Sequence, residues 1–244
     1  MLLKLFVIFH EKLYKEHYEI DERYKKYITF YGTNENYIKT IPDELKDMDF
    51  VYEYELPHYD PRLQKLGYMD NSLFYHVAYN ASLTKDVKWI GVLQYDMKLT
   101  NEFFEELLFN ISDCIPKIIG FNEAKWKEHN YVKYFEMYKV YADLRLYLGN
   151  TKLLHEESSV EKSCILCNAF CVPKDIFNQY CLWFISVRHE IKSEIYRHGN
   201  TYASVLERLS TMFLGLYPDI ETIFMYERIH NSVKPVCPYA PYYK

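Results

Sequence analysis

Three groups of residues in this sequence have the type and placement to do chemistry. The acid Asp96 closes the β-rich run Lys88–Tyr95. A carboxylate at the carboxyl end of a strand can hold Mg²⁺ or Mn²⁺ against a diphosphate through oxygen ligands; its plainer role would be to cap the helix starting near Thr100. A second acid, Glu207, sits in Leu206-Glu207-Arg208-Leu209. One carboxylate within hydrogen-bond reach of a hydroxyl suffices as a general base, and the competing assignment is an ion pair with Arg208 or a nearby lysine. The third group lies at other strand ends and helix starts: Phe9-His10, Gly32-Thr33-Asn34, Asp70-Asn71-Ser72 and Asn168. Phe9, Tyr31 and Tyr95 offer flat rings for stacking, Asn168 an amide for ligand hydroxyls or for buried backbone groups, and Asp70 or Ser72 a possible helix cap.

These side chains can converge only if the chain brings strand ends together. Leu2–Phe9 is a nearly continuous apolar run, the pattern of a strand covered on both faces, and Tyr27–Tyr31 repeats it after a crossover. Leu73, Phe74, Val77, Ala78 and Ala81 recur at helical spacing within Asn71–Ser82. Lys88–Tyr95 reads as a central strand, Asn101–Asn110 as a short helix, Ile118–Phe121 as a strand and Asn122–Asn150 as one helix. Ser163–Val172 reads as a single strand-like run, Pro173-Lys174-Asp175 opens a helix reaching about His189, and another begins near Thr201. This alternation predicts an α/β fold with a mostly parallel, Rossmann-like central sheet flanked by helices. In such sheets ligands bind beyond the carboxyl ends of the strands. The expected organisation is a single domain over residues 1–232 and a Pro-rich tail over 233–244.

Composition narrows the function classes. With 49% hydrophobic residues among 244 the chain can bury a large core. Its formal charge is -5, and 29 basic residues are scattered among 34 acidic ones, so no electrostatic stripe for nucleic acid is expected. Six cysteines in a chain of this size read as reduced thiols; Cys164 and Cys167 have CxxC spacing but lack a second ligand pair for zinc. The apolar start is too short to span a bilayer, which takes ~20 residues, so no transmembrane segment and a cytoplasmic location are expected. No Cys-x5-Arg, P-loop or GxGxxG pattern is present, which removes the strongest support for a phosphatase or nucleotidyltransferase.

The segment Trp89-Ile90-Gly91-Val92-Leu93-Gln94-Tyr95-Asp96-Met97 resembles the strand-to-acid junction of GT-A glycosyltransferases. Asn168–Phe177, with Leu206-Glu207-Arg208-Leu209, is similar to the domain-of-unknown-function glycosyltransferases of bacterial and large-virus polysaccharide clusters. The resemblance runs from the first strand to about Leu214. It implies a GT-A-like fold and transfer of a sugar from a nucleoside-diphosphate sugar to a glycan acceptor. It also implies Phe9 and His10 beside the nucleotide base, Asp70 and Asn71 at the nucleotide or donor sugar, and Glu207 as the acceptor-side base. The usual Asp-x-Asp signature is absent, since Met97-Lys98 follow the acid. A divalent metal, Mn²⁺ or Mg²⁺, would then rest on Asp96, the diphosphate and a late histidine, His230. The alternative is a catalytically inactive glycan- or nucleotide-sugar-binding module of the same fold.

Overall fold

The apolar run near the start becomes β1 (Leu3–Phe9), in which every residue but Lys4 is buried, as a strand covered on both faces requires. The computed structural model describes residues 2–113, 115–125, 140, 143–144, 146–149, 163–165, 167–189 and 202–225. His230 and the Pro-rich tail lie outside the described residues, as does most of the helix expected over 122–150. The other strands are β2 (Ile28–Gly32), β3 (Asp49–Tyr52), β4 (Trp89–Gln94), β5 (Lys117–Gly120), β6 (Glu123–Lys125), β7 (Ser163–Ile165), β8 (Phe170–Pro173) and β9 (Glu221–Phe224).

Seven of these form one sheet in the order β3-β2-β1-β4-β8-β5-β9. β1 is parallel to both β2 and β4, β2 to β3, and β5 to β9; β8 runs antiparallel to β4 and β5. The chain steps from β1 out to β3 and then returns to β4 on the other side of β1, so the strand order reverses between β1 and β4. At Gly91 in β4 a Cβ would fall 2.3 Å from Leu5 Cδ2, so the side chain of β1 packs where only glycine leaves room.

Strand parity divides the core between the two faces. Phe6, Ile8, Ile90 and Val92 pack under α3 (Ser72–Tyr79), α5 (Lys174–Val187) and α6 (Tyr202–Leu216). Leu5, Val7, Phe9 and Leu93 pack under α4 (Asn101–Ser112). The short helices α1 (Glu22–Lys25) and α2 (Arg62–Lys65) lie in the connections. Thr100, not Asp96, caps α4, accepting from Phe103 N–H at 3.2 Å, an interaction worth about 1 kcal/mol.

Three local expectations are corrected. Residues 123–125 are strand, paired with β7, not helix. Ser163–Val172 is not one strand: it breaks into β7 and β8, in different sheets, at Cys167 and Asn168, whose φ of 55° and 51° are left-handed. Neither Asp70 nor Ser72 caps α3; both side chains are engaged elsewhere. Cys171 and Cys181 are buried free thiols whose burial pushes their pKa up, which leaves them inert small hydrophobes. Among the described residues no helix is long and apolar enough to cross a membrane.

Candidate functional site

The strand order reverses between β1 and β4, and open α/β sheets bind ligands beyond the carboxyl ends of the strands at such a reversal. Phe9, at the end of β1, is wholly buried and packs edge-on to Phe30, Phe50 and Tyr52 at 6.3, 6.1 and 6.3 Å between ring centroids. Its ring is core and presents no face to a ligand; only its carbonyl reaches the rim, accepting from Thr33 N–H at 2.8 Å. His10 turns outward instead. Its ring stands edge-on to Tyr95 at 5.2 Å and to Tyr37 at 6.1 Å, and Tyr95 stacks on Tyr14. An aromatic rim thus bridges the ends of β1 and β4. Tyr31 is not part of it, being buried with its hydroxyl 3.0 Å from His76 Nδ1.

Asp96 follows in a turn closed by Met97 N–H to the Gln94 carbonyl at 3.1 Å. The Tyr95 carbonyl in that turn accepts from the Tyr18 hydroxyl at 2.9 Å. Asp96 itself is exposed. Burial first, and the Asp96 charge second, push the Tyr18 and Tyr95 hydroxyls up in pKa. Among the described residues no group of three or more His, Cys, Asp or Glu is placed to hold a metal. One exposed carboxylate fits an ion held mostly by phosphate oxygens and water, not an all-protein cage.

Deeper on the same edge lies a polar cluster assembled from four segments. Asp70 comes just after Met69, whose φ is 50°. Its Oδ2 accepts from Gln94 Nε2 at 2.8 Å and Asn168 Nδ2 at 3.0 Å, and its Oδ1 from Asn71 Nδ2 at 3.2 Å. Asn168 also donates to Asn71 Oδ1 at 3.0 Å and accepts from the Ser210 hydroxyl at 2.7 Å. Ser210 Oγ lies 2.8 Å from the Glu207 carbonyl, and Asn71 reaches the Ala203 carbonyl on the same helix at 3.3 Å. The left-handed pair Cys167-Asn168 is what turns the Asn168 amide into this cluster; Asn tolerates that conformation better than most residues.

The electrostatics of the cluster are uneven. Burial raises the Asp70 carboxyl, opposed by the donors Asn168 and Gln94. Glu207 is raised to about 8, by burial first and by the Asp70 charge second, with Arg208 opposing. The Tyr180 hydroxyl is buried without a well-formed hydrogen bond; Ser210 lies beside it, and the charges of Asp70 and Glu207 reach it. The fold therefore gathers Asp70, Asn71, Asn168 and Glu207, all named from sequence, and adds Gln94, Ser210 and Tyr180. Gln94 was readable, since it shares strand parity with Ile90 and Val92 and ends their row at the sheet edge.

A second buried carboxylate lies on the other side of the start of α3. Glu53 is wholly buried and accepts from Asn34 N–H at 2.7 Å, Gln64 Nε2 at 2.8 Å and the Ser72 hydroxyl at 2.5 Å. His76 Nδ1 lies 3.5 Å from it. Because His76 Nε2 accepts from Asp60 N–H at 3.3 Å, the ring proton sits on Nδ1, facing Glu53 and Tyr31.

Neither a protein-family model nor a curated protein matches the sequence. Among solved structures the chain is similar to the WbbM bifunctional glycosyltransferase, with a TM-score of 0.57 at 11% identity, over 94% of this chain and 46% of that one. It thus spans about half the length of that protein. It is also similar to the mannosyltransferase Ktr4p of S. cerevisiae (TM-score 0.44, 11% identity, 91% of this chain and 68% of that one). A third likeness is to core-mannan synthase A of Aspergillus fumigatus in a Mn/GDP form (TM-score 0.44, 10% identity, 92% and 73%). The first likeness shows the fold: a mostly parallel α/β sheet flanked by helices, of the kind found in a glycosyltransferase.

Proposed function

We propose that this chain is a glycosyltransferase that moves a sugar from a nucleoside-diphosphate sugar to a hydroxyl of a glycan. The observation that carries this reading is a polar cluster beyond the end of β4, in which Asp70, Asn71 and Asn168 meet the turn of α6 that bears Glu207 through Ser210, on a sheet shared with a glycosyltransferase. The rim of His10, Tyr37 and Tyr95 suits the flat nucleotide base. Asp70, with Asn168 and Gln94 around it, faces the donor sugar, and Asp96 faces the diphosphate. A divalent cation bound there would neutralise charge on the departing diphosphate.

In the transfer, Glu207 takes the proton of the acceptor hydroxyl as its oxygen forms a bond to the anomeric carbon. The bond from that carbon to the phosphate oxygen breaks, the nucleoside diphosphate leaves with the electron pair, and the configuration inverts. Asp96 stands without a second carboxylate in its own segment, which favours one competing reading: a module of the same fold that binds a nucleotide sugar without turning it over.

The deciding experiment measures thermal shifts and product formation with a panel of nucleoside-diphosphate sugars, with and without Mn²⁺. Stabilisation by one donor, product release with inversion, and loss of turnover in a folded Asp96→Ala variant are expected. Binding without turnover would establish the inactive module, and wild-type activity in Asp96→Ala would remove Asp96 from the site.

A further inference from the structure

Of the three side-chain amides in the polar cluster, two are used up within it. Asn168 donates to Asp70 Oδ2 and to Asn71 Oδ1 and accepts from the Ser210 hydroxyl. Asn71 donates to Asp70 Oδ1 and toward the carbonyls of Tyr68 and Ala203. Both residues are wholly buried. Gln94 differs from them, being half-buried as the last residue of β4, where the strand order reverses. Its Nε2 donates to Asp70 Oδ2 at 2.8 Å and to the Cys167 carbonyl at 3.3 Å. These two acceptors decide which end of the amide is which: turned over, it would set its own oxygen against a carboxylate and a carbonyl. Gln94 Oε1 therefore lies on the other side of the amide from both. Among the described residues it accepts no hydrogen bond, and it is open to solvent rather than sealed in.

We propose that Gln94 is a specificity residue that reads one hydroxyl of the donor sugar: its fixed amide oxygen accepts from that hydroxyl, and Asp70 holds the amide in the orientation this requires. The proposal rests on the reading of the site as one for a nucleoside-diphosphate sugar. An amide oxygen has no proton to give, so it recognises only a group that donates; a fluorine or a hydrogen in place of the hydroxyl goes unread. Asp70 suits the part of anchor. Its two oxygens already take three side-chain N–H donors, and a carboxylate acceptor makes the bond from Gln94 charge-assisted, hence short and strong. With the amide held by Asp70 and Cys167 before any ligand arrives, little side-chain freedom is left to lose on binding. The left-handed pair Cys167-Asn168 thus serves the site twice, turning the Asn168 amide onto Asp70 and the Cys167 carbonyl onto Gln94.

The test measures dissociation constants by titration calorimetry on the full chain, as wild type and as Gln94→Ala. The probes are UDP-glucose, UDP-galactose and GDP-mannose, UDP and GDP alone, and deoxyfluoro forms of whichever sugar binds, with one hydroxyl at a time replaced by fluorine. For the wild type, fluorine at one position should weaken binding roughly 5- to 100-fold. Gln94→Ala should lose a similar factor with the intact sugar and nothing further with that analogue, the non-additivity that marks a direct contact, while its affinity for UDP or GDP alone stays unchanged. A variant that merely loosens the cluster would keep the penalty for fluorine, and that result overturns the proposal. Gln94→Met, close in volume, takes the place of Gln94→Ala if the latter does not fold, and a wild type indifferent to every fluorinated position overturns the proposal with no variant at all. A wild type that binds none of the nucleotide sugars overturns the function read for the site, whereas a bound sugar whose fluorine penalty persists in the variant overturns the role of Gln94 alone, so the two failures are distinguishable.

Discussion

Two carboxylates near the start of α3 are treated in opposite ways, Glu53 being wholly buried and Glu207 half-buried. Glu53 is wrapped in donors from three segments, the Asn34 amide, the Gln64 side chain and the Ser72 hydroxyl, with the His76 ring beside it. Glu207 has a second carboxylate for a neighbour and, among the described residues, no hydrogen bond to its own carboxyl. A carboxylate that accepts from several segments cross-links them, whereas one without such partners has its proton affinity set by its surroundings.

The contrast breaks most visibly at Glu53. Glu53→Ala should strip a common acceptor from several buried donors and cost about 3–5 kcal/mol, read as a lower urea midpoint. A loss under about 1 kcal/mol would mean that water replaces the carboxylate and that the network is not a cross-link. Glu207→Gln should do the reverse: keep the fold and the donor affinity while lowering kcat by about 10² to 10⁴. A normal kcat would return Glu207 to an ion-pair role.

The pH dependence of stability sharpens the comparison. Because folding raises Glu207 from 4.5 to about 8, the native state binds more protons than the unfolded state between those values, so this group's contribution to stability falls as pH rises through that window. Glu207→Gln should flatten that slope and make the protein more stable than wild type at pH 8, as checked by urea titrations at several pH values. Parallel slopes for the two proteins would show that the carboxyl is solvated. The smallest effect is expected for Gln64→Ala, which removes one of the donors to Glu53 and should cost about 0.5–1.5 kcal/mol. A loss as large as that of Glu53→Ala would make Gln64, not the carboxylate, the centre of the cross-link.

Much of this arrangement was legible in the sequence. β1, β2, β4 and the helices after Asn71, Thr100 and Pro173 follow from apolar spacing, and Asp70, Asn71, Asn168 and Glu207 stood out by type and position. What was hidden had physical reasons. β3 is only four residues, Asp49–Tyr52, and none of them is fully buried, so no apolar run announced it or the Glu53 that follows. Ser210 and Tyr180 sit within the apolar faces of α6 and α5 and look like core. The break between β7 and β8 is made by Cys167 and Asn168 where a glycine would have signalled a turn. Phe9 was read as a ligand face because a strand end looks alike whether its ring turns in or out.

The antiparallel ladder between β4 and β8 carries a consequence for the order in which this protein matures during synthesis. The strands β3, β2, β1 and β4 all come from the first 94 residues, and they meet the second half of the sheet along one ladder, from Trp89 opposite Pro173 to Val92 opposite Phe170. A nascent chain can therefore pair four strands and shelter Glu53 while Asp70 still lacks Asn168, which lies 98 residues downstream. The helix carrying Ala203 docks on Asn71 only after a loop of 132 residues has closed, and the entropy of that closure must be overcome before its contacts repay it. A chain that has reached only β4 can thus hold the four-strand scaffold while the cluster of Asp70, Asn71, Asn168 and Ser210 is still incomplete, so that cluster is assembled last.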